Sequence, residues 1–198
     1  MYHNYLLIHK RNIIMKKILI LSLVIGMFTA LQAQKVSGDL SCLKGQKEVN
    51  ITFNYKGVTY DGDSEAKYLK GEDKAKDAEW KAAWTSSFRT DNWEPRLIDD
   101  LNKELKGMEC GDFADAKYTI IVKLIDIDPG TFAGPMSMPA RITATASIVK
   151  TGSTSPLATI ELKKITYKYF MSPQPEARVG EAFSCVGEAI GKKLSKIK

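Results

Sequence analysis

Four aspartates are the residues from which carboxylate chemistry could be built: Asp61, Asp63, Asp126 and Asp128. Two carboxylates can act as acid and base, or as acid and nucleophile, at a glycosidic bond. Asp61-Gly62-Asp63-Ser64-Glu65 also sets oxygens at alternate positions, as calcium loops do. Calcium takes about 6–8 oxygens, and the remaining ligands of such a loop are missing. A turn plus a helix cap explains the same residues, with Ser64 or Asp63 capping a short helix that buries Tyr68 and Leu69. Asp126 and Asp128 close a strand, where acids ordinarily face solvent. No pair has a spacing that singles it out. A carboxylate-dependent enzyme acting on glycans is therefore the alternative reading. The leading one is a non-catalytic binding or envelope-assembly module of unknown ligand.

Histidine chemistry is narrowed further. Both histidines, His3 and His9, fall in the first 33 residues, so residues 34–198 have none. Ser-His-Asp, Cys-His and histidine–zinc sites are thereby excluded from that part of the chain. The three cysteines, Cys42, Cys110 and Cys185, cannot all pair internally. Cys42 and Cys110 precede strands by similar intervals, which suggests a bridge between them with Cys185 free. Three separated cysteines without histidine make no zinc site. No metal and no cofactor is expected.

The N-terminus carries an address. Met15-Lys16-Lys17 is a basic start, residues 18–31 are largely apolar, and Ala33 offers a small residue for cleavage. That order is a secretory signal peptide, residues 1–33, with residues 1–14 lying upstream of the expected start at Met15. The apolar run is short for a membrane span, which needs about 20 residues. After processing the expectation is an exported protein, periplasmic or secreted, that does not cross the membrane. The chain has 29 Lys+Arg and 23 Asp+Glu, and residues 1–33 hold four of those cations and no acid, leaving 25 − 23 = +2 for residues 34–198. Phosphate binding rests on clustered positive charge, so a nucleic-acid partner is not expected. Residues 34–198 fit a single domain.

The positioning elements follow from periodicity. Residues 36–46 are a polar lead-in. In residues 48–55, Val49, Ile51, Phe53 and Tyr55 alternate with polar residues, as in a half-buried strand that residues 58–60 extend. Residues 74–89 suit a helix with Trp80, Trp84 and Phe88 on one stripe, anchoring it to the sheet. A second helix, capped by Asn92, carries Leu97, Ile98, Leu101 and Leu105 and ends at Gly107. Residues 116–128 form the central strand. Its apolar parity switches near Leu124-Ile125, which a β-bulge explains. Residues 140–150 and 157–169 are two more strands, the last switching parity across Lys163-Lys164. Residues 173–198 give a closing helix with Val179, Phe183, Val186, Ile190, Leu194 and Ile197 on its apolar face. Beside that face runs a stripe of Gly180, Ser184, Gly187 and Gly191, expected to pack on the sheet. The predicted fold is α+β, a largely antiparallel four-stranded sheet in the order β-α-α-β-β-β-α, with helices covering one face.

The up-down-up run of the last three strands brings two loops to one end of the sheet. Residues 129–139 carry Phe132, Met136 and Met138, and residues 170–175 carry Phe170 and Met171. These five are the candidate partner-binding residues, for an unknown envelope protein or ligand, because methionine suits adaptable contact surfaces. The competing expectation is that they fold back and cap the core.

The lead-in Ser37-Gly38-Asp39-Leu40…Leu43-Lys44-Gly45-Gln46, the Trp80…Trp84 pair and the closing Gly180…Phe183…Gly187…Ile190-Gly191-Lys192 resemble a group of small exported bacterial proteins without assigned activity. The element order is also similar to small periplasmic domains used in envelope assembly. The resemblance implies export and no particular activity.

Overall fold

The computed structural model describes residues 34–71, 77–167 and 172–197. The expected signal segment, Phe170 and Met171 lie outside the described residues.

The chain opens with an edge strand, β1 (Gln34–Gly38), and a 3-10 turn at Leu40–Leu43. Strand β2 (Glu48–Asn54) follows, then two short strands, β3 (Thr59–Tyr60) and β4 (Asp63–Ser64). Helices α1 (Glu65–Gly71) and α2 (Ala78–Thr85) come next, and a π-helical turn (Arg89–Trp93) leads into α3 (Glu94–Glu104). Strands β5 (Glu109–Gly111), β6 (Tyr118–Asp128), β7 (Arg141–Lys150) and β8 (Ala158–Thr166) precede the long helix α4 (Pro175–Leu194).

The strands form one mixed, eight-stranded sheet in the order β1-β8-β7-β6-β2-β5, with β3 beside β6 and β4 beside β3. This corrects the expected four-stranded, largely antiparallel sheet; the fold remains α+β. Two physical causes account for the difference. First, β2 and β6 are joined through helices, and a connection of that length returns the chain in the same direction, so they pair in parallel. Second, β1, β3, β4 and β5 are too short or too exposed to show alternation. Backbone pairing alone defines them, such as β1 against β8 from Gln34 opposite Leu162 to Gly38 opposite Ala158.

Strands β6, β7 and β8 run antiparallel as expected. The register of β6 against β7 shifts between Leu124 and Asp126, so Ile125 is the extra residue of a bulge. A second shift falls opposite Thr143, where β8 carries Lys163 and Lys164 against one residue of β7; Lys164 has φ +49°. Both parity switches are thus bulges, and both flank Thr143.

Ile51, Ile120, Val122, Leu124, Ile127, Ile142, Ala146, Ile148, Ile160 and Leu162 form a buried inner face. Helix α4 covers β7 and β8 with Val179, Phe183, Val186 and Ile190, all fully buried. Its small-residue stripe packs on α3, not on the sheet as expected. A Cβ at Gly187 would lie 2.1 Å from the Leu97 carbonyl oxygen, and one at Gly191 would lie 2.8 Å from that of Leu101. The two helix backbones therefore touch where glycine removes the side chain.

Helix α2 is shorter than expected. It stops at Thr85, and Asn92 sits inside the π-helical turn instead of capping α3. The aromatic stripe packs into the core through Trp84, which is fully buried, while Trp80 and Phe88 are half-buried beside it; Trp80 lies 4.8 Å from Trp84 and Trp93 5.0 Å, and Trp93 stacks on Phe183 at 5.6 Å. Trp80 Nε1 donates to Glu176 Oε2 and Trp93 Nε1 to the Glu176 carbonyl, tying these helices to the start of α4. No helix among the described residues is long and apolar enough to cross a membrane.

Candidate functional site

The top of the sheet is the end where β6 and β8 finish and β7 begins. Three segments meet there around a groove of about 550 Å³.

The first wall is the β3–β4 hairpin. Tyr60 pairs with Asp63, and the two residues between them, Asp61 and Gly62, both have positive φ, +51° and +80°. That is the backbone of a two-residue type I′ hairpin, for which Asp-Gly is a strong signal. The expected turn is this hairpin turn, and the expected cap is Ser64, whose Oγ accepts from the Lys67 N–H at 3.4 Å at the start of α1, although Tyr68 and Leu69 are half-buried and not fully covered. The hairpin is docked on the central strand: Asp126 Oδ1 accepts from Thr59 Oγ1 at 2.5 Å and from the Gly62 N–H at 3.0 Å. The Asp61 N–H reaches the Ile127 carbonyl at 3.1 Å. Behind the hairpin, Tyr60 stacks on Tyr68 at 5.3 Å and leans on Trp84, which links this wall to the aromatic core.

The second wall is the loop of residues 129–139. Asp128 starts it by accepting from the Gly130 N–H at 2.8 Å and from Arg141 through Nε at 2.9 Å and Nη2 at 2.7 Å. Thr131 and Met138 close the loop on itself, exchanging backbone hydrogen bonds of 2.9 and 3.0 Å. The close approach needs glycine at 130, where φ is +66° and a Cβ would meet the Met138 carbonyl oxygen at 2.2 Å. Inside the closure, Ser137 Oγ accepts from the Ala133 N–H and donates to the Gly134 carbonyl.

The third wall is Pro173, Pro175 and Arg178 at the start of α4. Arg178 is 7% exposed. Its Nε donates to the Pro129 carbonyl and its Nη2 to that of Gly130, while Nη1 donates to the carbonyls of Ser172 and Pro173. One side chain thus clamps both loops expected at this end. Nothing in the sequence flags Arg178, because its partners are main-chain carbonyls.

The predicted partner-binding residues distribute as follows. Phe132, Met136 and Met138 are 53%, 80% and 47% exposed, so they do not fold back onto the core. Phe170 and Met171 lie outside the described residues; the segment after them is held at the same end by Arg178. Of the candidate acids, Asp61, Asp63 and Asp128 line the groove, while Asp126 is spent on docking the hairpin. Asp63 pairs with Lys67 at 2.6 Å and Asp128 with Arg141. Two uncommitted carboxylates facing across a gap are not assembled here among the described residues.

A second polar cluster lies behind the groove, between β2 and the π-helical turn. Arg89 stacks over the Tyr55 ring at 4.1 Å, donates to Tyr60 Oη at 3.2 Å and pairs with Glu65. Burial pushes the Tyr55 and Tyr60 hydroxyls well above their ordinary range, and it raises Glu94 as well. The Tyr55 hydroxyl makes no hydrogen bond of full geometry, although the Glu94 carboxylate lies beside it.

All three cysteines are free, which corrects the expected Cys42–Cys110 bridge. Cys110 sits buried on β5 opposite Val49, where burial pushes its thiol up to about 12. Burial and the neighbouring Glu188 and Glu181 push Cys185 up to about 11.

No family model and no curated protein matches the chain. Among solved structures, the chain is similar to the PelC dodecamer from Paraburkholderia phytofirmans, space group P6, at 7% identity. That likeness covers 79% of this chain and 95% of that one with a TM-score of 0.41, too low to carry an argument.

Proposed function

We propose that this chain is an exported, non-catalytic binding module of envelope assembly, and that it captures a partner on the rim formed by residues 129–139. One observation carries this reading. The three most exposed large apolar side chains among the described residues, Phe132, Met136 and Met138, all lie in that one closed loop. Leaving such a side chain in water forgoes about 1.5–3 kcal/mol, so three in one ordered loop imply a surface that is covered part of the time. The loop is held in advance by Arg178, by the Thr131–Met138 closure and by Asp128, so little ordering remains to be done on binding. The glycan-enzyme reading is less well supported, because Asp126 and Asp128 serve as structural acceptors and Asp63 is ion-paired.

A photo-crosslinking amino acid placed at position 136 tests this in the native host. The expected result is one dominant cross-linked species that is absent when the same probe replaces Thr159, on the outer face of the sheet. Equal labelling from both positions would remove the support for a dedicated rim.

A further inference from the structure

The opposite end of the molecule holds a second groove, of about 360 Å³. Three segments line it: residues 43–47 before β2, residues 105–108 after α3, and residues 194–197 at the end of α4. Its floor is apolar, with Leu43 and Leu194 buried and Leu105, Met108 and Ile197 half-buried. Its rim is cationic, with Lys44, Lys47 and Lys106 in the lining and Lys196 between two lining residues. None of the lining residues is acidic.

From this arrangement we infer that the groove docks the protein on the head groups of anionic phospholipids at a membrane surface. Charge complementarity selects the occupant. Lys44, Lys47, Lys106 and Lys196 are exposed, and none takes part in an ion pair among the described residues. Lysines also gather at helix C-termini simply to answer the helix dipole. That explanation does not reach Lys44 and Lys47, which lie on neither helix. The last-turn lysines Lys103 and Lys192 are moreover already paired, with Asp100 and Glu188. Glu48, Glu104 and Glu109 lie next in sequence to the groove, the first and last side by side at the start of β2 and β5, but none of the three lines it.

Net charge does not drive this docking, since residues 34–198 carry only 25 − 23 = +2. What matters is that four unpaired cations, Lys44, Lys47, Lys106 and Lys196, gather at one end around an apolar floor. Each lysine near an anionic leaflet contributes roughly a fivefold gain in partition. The phosphates seat on the rim lysines, with the half-buried Leu105, Met108 and Ile197 recessed between them. This end is opposite the rim of residues 129–139, so docking leaves that rim open.

Vesicle co-sedimentation of the protein, purified as the cell processes it, decides the matter. Vesicles of phosphatidylcholine alone are compared with vesicles containing phosphatidylglycerol, at about 0.1 M salt. Partition onto the anionic vesicles should be at least about tenfold higher, and Lys44→Glu with Lys106→Glu should remove about tenfold or more. The control pair Lys35→Glu with Lys123→Glu changes net charge equally on the outer sheet face and should cost less than about twofold. Equal partition onto both vesicle types, or equal loss in the two charge-matched variants, would overturn the inference. Circular dichroism on both variants separates lost docking from lost folding.

Discussion

The guanidinium of Arg178 donates through Nε to the carbonyl of Pro129 at 2.8 Å, across 49 positions of sequence. The same side chain reaches Gly130, Ser172 and Pro173, so two loops share one fixed point. Arg178→Ala would strand four main-chain carbonyls around a buried space. A loss of about 3 kcal/mol is expected, because charge-assisted bonds to buried acceptors are costly to remove. Arg178→Lys should recover little of it, since an ammonium cannot present the planar fork. Urea midpoints measure the stability, and limited proteolysis within residues 129–139 measures the release of the loop. A variant as stable and as protected as the parent would show that the clamp has no such role.

Gly187 and Gly180 lie on one stripe of α4 but should respond to alanine in opposite ways. At Gly187 the new Cβ would stand 2.1 Å from the Leu97 carbonyl oxygen, so α3 itself must move. A cost of about 2–3 kcal/mol is expected. At Gly180 the nearest atoms belong to the side chains of Asn92 and Arg96, which can swing aside. There alanine's better helix propensity, about 0.5–1 kcal/mol, should leave the variant near neutral or slightly stabilised. Thermal melts of the two single variants provide the comparison, and equal effects would contradict the helix contact described.

These two positions also show what the sequence discloses. The small-residue stripe was legible, but its partner was not, because a glycine row says only that something comes close. The bulges at Ile125 and at Lys163-Lys164 were legible because each inverts a run of alternating residues. The parallel pairing of β2 with β6 is encoded in the helices between them, which return the chain in the same direction. Strands β1 and β5 left no trace, since Gln34–Gly38 is exposed from Lys35 onward and Glu109–Gly111 is too short for a period. At the candidate site, exposure of the apolar loop could be guessed from its residues. The clamp beneath it could not, because a guanidinium bound to carbonyls has no sequence signature.

Glu94 should make stability depend on pH. Its proton affinity in the fold is raised above the ordinary 4.5, chiefly by burial, with Tyr55 and Arg89 opposing. A raised carboxyl holds its proton more tightly when folded. Its stabilising contribution is therefore complete below the unfolded value and is lost as pH rises through the folded one. Glu94→Gln lacks this titration. The variant should gain on the parent as pH rises above the ordinary carboxylate range, with the difference levelling off once pH has passed the raised value of the folded state. Urea midpoints of both proteins along a pH series read the effect directly, and a pH-independent difference would remove Glu94 from the account.

The rim makes the sharpest separation between binding and folding. Phe132 is 53% exposed and Met136 80%, and neither lies on the buried inner face of the sheet. The loop that carries them is closed by Thr131 and Met138 and anchored by Arg178 and Asp128, none of which uses those two side chains. Replacing both with serine should therefore shift stability by no more than about 0.5 kcal/mol, the usual range for exposed positions. Capture of the partner should fall much further. Two large apolar anchors at the centre of a contact are typically worth more than about 1.4 kcal/mol together, a tenfold loss of affinity. The measurement pairs a thermal melt of the double variant with pull-down, on the immobilised double variant and parent, of the partner first identified by cross-linking. Unchanged melting with lost retention places the partner on this loop. A large fall in melting temperature would mean that Phe132 and Met136 serve the core, and the rim would lose its claim to a partner.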